Sequence, residues 1–401
     1  MLSPYRRVLT LPGALAFSLS GLVARLPISM VSLGIVLLVS LRSGSYGYAG
    51  TVSAAYVIAA AVTSPAQGRL ADRFGQHRAL PPSITVFGAA LVGLIVAVEL
   101  KAPTPVPHLL AAVAGAALPQ IGSCVRTRWA ALLSGTSQLQ TAYAFEAMVD
   151  ESVFIVGPVL VTLLATNVHP LAGLAATAVL GLVGTYTLAA QRSTEPAVQR
   201  HDRSGVPRPP LGWRVLVPIA LAMLCLGALF GSVEVVTVAF AREHGHGGVT
   251  GLLLATWALG SLLAGLITGL VNWKASAATR FRWGMLAMAV VMLPLPLAGN
   301  LFALDVMLFV AGFAISPTLV ATMSLVESTV PASRLTEGIS WVTTGIAAGL
   351  APGAAIAGHV IDLRGASDGF LVPVAAGLLG VVVALATRRP PGVATTSEAP
   401  S

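Results

Sequence analysis

The sequence predicts an all-α membrane protein: twelve transmembrane helices in two pseudo-symmetric six-helix bundles. Three observations predict it. Of the 401 residues, 56% are hydrophobic and only 9% are charged, whereas a soluble domain carries about 25% charged residues. The apolar residues fall into runs long enough to cross hydrocarbon, which takes about 20 residues of helix. The cations are segregated: with the N-terminus inside, 16 of the 23 Lys and Arg fall in segments on the inner side, 4 on the outer side and 3 within spans.

Composition also excludes several function classes. A net charge of +8 would suit a nucleic-acid partner only if the cations formed one patch. They sit instead in short connections between apolar runs. The two cysteines, Cys124 and Cys225, lie inside apolar runs and indicate neither a disulfide framework nor a metal site. The seven histidines are scattered, mostly in connections, so no enzyme-like cluster forms. His244 and His246, among glycines, read as a turn. No Gly-rich loop ending in Gly-Lys-Ser/Thr is present, so transport by this chain draws on a gradient rather than on ATP. No cofactor or metal is expected.

Taken in order, the spans lie near 11–39, 46–66, 81–100, 107–133, 141–166, 170–191, 214–240, 249–272, 283–299, 302–329, 336–360 and 369–387. The first follows Tyr5-Arg6-Arg7, and its run is too long for a signal-peptide core. Arg42, Lys101, Arg242 and Arg364 mark outer connections. Arg69, Arg73 and Arg78, the residues 192–213, Lys274 to Arg282, and Arg334 mark inner ones. The ninth and tenth spans are divided only by Gly299 and Asn300. Short-loop cations place both termini in the cytoplasm. The domains are then 1–191 (first bundle), 192–213 (a cytoplasmic linker rich in Arg and Pro), 214–387 (second bundle) and 388–401 (a Pro-, Thr- and Ser-rich disordered tail).

The halves read as repeats. A shift of 201 superposes Gly50 on Gly251, Tyr56 on Trp257, Gly68 on Gly269 and Arg73 on Lys274; a shift of 194 superposes Pro158 on Pro352. Duplicated helical halves with a site between them are a transporter architecture.

The run Gly68-Arg-Leu-Ala-Asp72-Arg73-Phe-Gly75-Gln-His-Arg78, between spans two and three, resembles the signature loop of the major facilitator superfamily. Gly68, Asp72, Arg73, Gly75 and Arg78 fill its places. Gly157-Pro158 in span five resembles the signature of the drug antiporters, with Val161-Thr162 where that group has paired glycines. Arg126 or Arg128 stands where the family has an Arg in span four. The resemblance implies the major facilitator fold and a moving gate. Asp72 is expected to dock at the start of span eleven near Thr336, with Arg73 and Arg128 completing a charge cluster. A plain positive-inside loop is the simpler reading of the same residues.

Span five carries the other chemistry. Glu146 and Asp150 are i and i+4 on one helical face, with Glu151 about 100° round. Asp150 lies roughly 14 Å into the membrane at 1.5 Å per residue, a depth at which a carboxylate costs about 3 kcal/mol. Asp150, Glu151 and Glu146 are therefore candidate proton carriers, or members of a structural pair with Arg25, which lies roughly 21 Å deep. Arg25, Arg126, Glu234, Tyr56, Trp257 and Trp341 are candidates for lining a substrate cavity. Glu99, Asp305, Glu327 and Glu337, near span ends, suit solvated or capping roles. The expected function is proton-coupled export of a small hydrophobic compound by a monomer in the cytoplasmic membrane of a bacterium. Uptake of a metabolite, anionic if Arg25 binds it, is the alternative. A membrane-embedded enzyme or lipid-handling protein is the alternative from another class. The expected partners are a small-molecule substrate, protons and the bilayer.

Overall fold

The computed structural model describes residues 3–43, 46–198, 209–246, 249–271 and 273–386. Residues 199–208 of the 192–213 linker and the tail 388–401 lie outside them. All regular structure among the described residues is helical. A short helix, α1 (Ser3–Leu9), precedes the spans. Among the described residues, twelve helices are long and apolar enough to cross a membrane: Ala14–Ser43, Tyr48–Phe74, Gln76–Glu99, Pro105–Leu133, Gln138–Ala165, Ala172–Ala190, Trp213–Glu243, Thr250–Leu270, Ala277–Leu297, Leu301–Thr329, Ala332–Arg364 and Ala366–Leu385. They are called spans one to twelve below.

The largest departure from the sequence reading concerns the charged run 68–78. It is not a loop. Span two stays helical to Phe74, span three starts at Gln76, and Gly75 alone joins them. Charged residues end a membrane span without ending a helix, since a helix satisfies its own backbone in either solvent. Gly75 has φ +85°, a left-handed conformation that favours glycine. A side chain there would also approach Glu195 Oε1 at 2.7 Å. The division of spans nine and ten at Asn300 is a helix cap: its side chain accepts from the Ala303 N–H at 2.8 Å.

The packing repeats. Span one packs on five and six, span two on four, span three on four and six; correspondingly, seven packs on eleven and twelve, eight on ten, nine on ten and twelve. Close backbone approach carries much of this, as expected where lipid gives no hydrophobic drive between helices. The repeat is visible at single residues. The Tyr56 carbonyl lies against Gly115, and the Trp257 carbonyl against Gly312, leaving no room for a Cβ on either glycine. Spans seven and eleven meet along Gly227, Gly231, Gly345, Gly349 and Gly353, each facing a carbonyl of the other helix.

Spans four and ten are each interrupted, between Ala117 and Ile121 and between Gly312 and Ile315. In span four Pro119 lies at the break, and the Ala116 carbonyl is satisfied instead by Thr63 Oγ1 (3.1 Å) and Gln67 Nε2 (2.8 Å).

Candidate functional site

The two halves meet along two seams that are themselves related by the repeat: span two with eleven, and span eight with five. Both lie toward the end that carries Gly75, the basic end. Among the described residues, every hydrogen bond between the halves lies there or at mid-depth, the deepest being that of Glu151.

The first seam is charged. Asp72, in the last turn of span two, accepts from the backbone N–H groups of Thr336 (3.2 Å) and Glu337 (2.8 Å). These donors lack intrahelical acceptors because they open a helix, and its dipole favours the carboxylate. Glu337 is fully buried. It accepts from Arg69 at 2.9 Å across the seam and from Arg334 at 2.8 Å on its own side. Gly68 lets span two approach: a Cβ there would stand 2.9 Å from the Thr336 carbonyl. Below, Thr127 meets Thr336 at 2.9 Å and Ser340 donates to Ser123 at 3.2 Å.

Arg73, Arg78 and Arg128 take no part in this seam. Arg73 is exposed, its guanidinium 5.2 Å from the Phe74 ring centre. Arg78 is exposed on span three, its side chain without a hydrogen bond or ion pair among the described residues. Arg128 is buried and ties span four to Gln76 (2.7 Å) and to the carbonyls of Leu188 and Gln191. Glu337 and Arg69 stand where a charge cluster was expected from Arg73 and Arg128. Glu337 near a helix start read as a cap, and nothing in its local sequence shows that span two will bury it.

The second seam holds no ion pair among the described residues. Gly269, the repeat partner of Gly68, accepts at its carbonyl from Thr141 Oγ1 at 2.8 Å. Trp273 stands 201 residues after Asp72, so the docking carboxylate has no counterpart. Tyr5 on α1 fills the place, donating to the carbonyls of Gly265 (3.0 Å) and Leu266 (2.9 Å). Burial pushes its phenol up to about 12, which keeps the donor proton in place at neutral pH.

At mid-depth, spans one, four and five gather four charges. Arg25 pairs with Glu146 and, at 2.9 Å, with Asp150; Arg126 pairs with Asp150. Glu146 also accepts from Trp129 Nε1 (2.8 Å) and Ser18 (3.3 Å). The cluster is neutral in sum, which is what burial demands. Arg25, Arg126 and Glu146 are buried, while the Asp150 side chain is 34% exposed. Its donors exceed its acceptors: the Nε of Arg25 and of Arg126 are buried without a partner. Glu151 faces the other way. It has no cation among the described residues; its Oε1 accepts from Ser261 in span eight at 2.8 Å, and Ser261 in turn meets Ser316 in span ten at 2.9 Å.

The remaining candidates do not join this cluster. Tyr56 is buried with its hydroxyl unpartnered. Trp257 packs edge-on to Phe230, and Trp341 to Trp213, each with a buried unpartnered indole N–H. Glu234, one turn beyond Phe230, is exposed with no partner among the described residues. Asp305 holds a buried unpartnered Oδ1, while Glu99 pairs with Arg42 at 2.7 Å and Glu327 accepts from Ser134 at 2.7 Å.

No curated protein matches the sequence. Among solved structures, a bacterial homologue of the iron transporter ferroportin in the outward-facing state aligns with TM-score 0.74 at 15% identity, over 93% of this chain and 98% of that one. The E. coli fucose:proton symporter aligns with TM-score 0.72 at 13% identity, over 96% and 100%. The human organic anion transporter MFSD10 aligns with TM-score 0.71 at 12% identity, over 94% and 99%. At these identities the likeness is one of fold. The sequence itself matches the Major Facilitator Superfamily over residues 15–301, and the chain belongs to that superfamily of membrane transporters.

Proposed function

We propose that the protein is a proton-coupled secondary transporter with both termini in the cytoplasm, and that it exports a small, largely apolar compound by alternating access. The single observation that carries the coupling is Glu151. Glu146 and Asp150 are already neutralised by Arg25 and Arg126. Glu151 has no cation, and its bond to Ser261 is the deepest link between the halves. An ionised Glu151 accepts that bond as a charge-assisted one, worth roughly 1.5–3 kcal/mol against 0.5–1.5 for a neutral pair. Protonation therefore loosens the tie by about 1 kcal/mol, a roughly fivefold change in the balance of two states. With the basic end in the cytoplasm, as the cation count favours, the closed seams make this an outward-open state.

The aromatic side chains Phe230, Trp257 and Trp341 support an apolar substrate, and the Gly157-Pro158 resemblance supports export. A second reading is favoured by the surplus N–H groups of Arg25 and Arg126, which suit a substrate bearing acceptor oxygens, an organic anion among them. One of the structural neighbours is an organic anion transporter and another a proton symporter, so an anionic substrate and proton coupling both occur on this fold.

The test is proton movement in proteoliposomes under an imposed pH gradient, with ethidium and with benzoate as alternative probes. Glu151→Gln should abolish coupled flux of the transported probe, while Asp150→Asn should lower its affinity. Coupling left intact by Glu151→Gln removes Glu151 from the proton path.

A further inference from the structure

One cavity lies away from both seams. It is a crevice of about 610 Å³ on the outer flank of the first half, between spans two, three and four. Its origin is local. The interruption of span four falls at its floor, where Ala116 and Ala117 leave space that larger side chains would fill. Leu70 and Phe74 of span two, Val86 of span three and Val113 of span four form its walls, and all four are exposed at 37–47%. Gln67 and Ser83 also line it, but they bond to each other at 3.0 Å and Gln67 further to the Ala116 carbonyl. The interior thus offers a guest no free polar group from these two.

The mouth is different. Arg78, in the first turn of span three, lines the crevice, is exposed, and its side chain has no hydrogen bond or ion pair among the described residues. Arg73 stands nearby at the end of span two, also without an ion pair. Asp72, the nearest acid in sequence, is turned away into the first seam. His77, beside Arg78, is engaged with Glu195 at 2.9 Å. Among the described residues, the mouth is therefore a cationic site with no internal counter-ion.

From Arg78 to Val86 is eight residues of helix, roughly 12 Å. That is most of the hydrocarbon depth of one leaflet, about 15 Å. A cation at headgroup level above an apolar slot of leaflet depth matches an anionic amphiphile, and the membrane supplies one.

We propose that this crevice holds one anionic phospholipid, its phosphate on Arg78 and one acyl chain laid over Ala116 between Leu70, Phe74 and Val86. Charge complementarity selects the anionic headgroup; the slot selects a chain rather than a free phosphate. The occupant presses on span two at Leu70 and Phe74, each two residues and so about half a turn from Asp72, so it stabilises the charged seam from behind. This inference is independent of the proton reading and of the substrate.

The experiment uses the full-length protein in detergent, with palmitoyl-oleoyl phosphatidylglycerol and phosphatidylcholine as probes, and counts retained lipid by native mass spectrometry. The wild type should retain one phosphatidylglycerol roughly five- to tenfold more tightly than phosphatidylcholine. Arg78→Gln should bring the two lipids level. Val113→Phe, which fills the slot from its rim and leaves Arg78 in place, should release both. Equal retention of the two lipids by the wild type overturns the anionic assignment. Unchanged phosphatidylglycerol binding in both variants overturns the site. Release of phosphatidylglycerol from Arg78→Gln with full retention by Val113→Phe reduces the site to headgroup attraction, and overturns the acyl-chain placement. A monodisperse chromatographic peak for each variant separates these results from misfolding.

Discussion

Replacing Asp72 by Asn should open the basic end. The carboxylate accepts two backbone N–H bonds at the start of span eleven, at 3.2 and 2.8 Å. Asn keeps one acceptor oxygen, so one bond is lost and the other ceases to be charge-assisted. Bonds to a charged group contribute roughly 1.5–3 kcal/mol, and a carboxylate at a helix N-terminus adds about 0.3–1 kcal/mol. Against this, Asn costs less to desolvate at the same place. The net weakening is about 1–2 kcal/mol, which multiplies the open population about 5- to 30-fold. Ser340 reports it, being fully buried beneath the seam. The measurement is the rate at which Ser340→Cys reacts with a charged methanethiosulfonate reagent, in a background with Cys124 and Cys225 replaced by Ala. If labelling is limited by a rapid opening equilibrium, the rate follows the open population. A rise below about twofold, with the protein otherwise folded, would show that the Asp72 cap does not hold the seam and refute the reasoning.

Three other outcomes are expected. Gly349→Ala places a methyl group on the Leu224 carbonyl, closer than any packed pair allows; it should cost roughly 1–3 kcal/mol of stability, read as a lower unfolding temperature in detergent, while Gly251→Ala, with open space around it, should leave that temperature unchanged. Arg25→Met strands Glu146 in a fully buried site, a loss of about 3–5 kcal/mol. Adding Glu146→Gln should restore much of the folded yield in fluorescence-detected chromatography, and no recovery would mean the pair does not act as a unit. Tyr5→Phe removes the two-carbonyl contact at the second seam and should raise labelling of a cysteine at Thr141 several-fold; at pH 8 and pH 6 the effect should be equal, since the phenol, pushed up to about 12, is protonated at both.

The spans were legible because each is an apolar run with a polar or glycine end, and hydrocarbon leaves helix as the solution. The charged run was misread in shape because the same rule does not say where a helix stops once it reaches water. Glu146, Asp150 and Arg25 could be grouped from helical spacing and depth, since only a partner makes such charges bearable there. Arg126 and Arg128 could not be told apart. They are two residues from each other, so they point roughly 200° apart, one toward Asp150 and one toward Gln76. Ser261 gave no signal, because a serine in an apolar helix usually bonds its own backbone. Glu337 and Arg69 meet across 268 residues, and no local pattern carries that pairing.

Gly75 has a mechanical consequence. A single residue between two long helices leaves no slack. When the end of span two swings away from span eleven, span three must swing with it, like two rods on one pin. The peripheral helix is thus a pointer driven by the seam. A probe on its lipid-facing surface, far from any substrate, reads the position of the gate, and a stretch of flexible residues spliced in after Gly75 disconnects the pointer while leaving every contact of the seam in place.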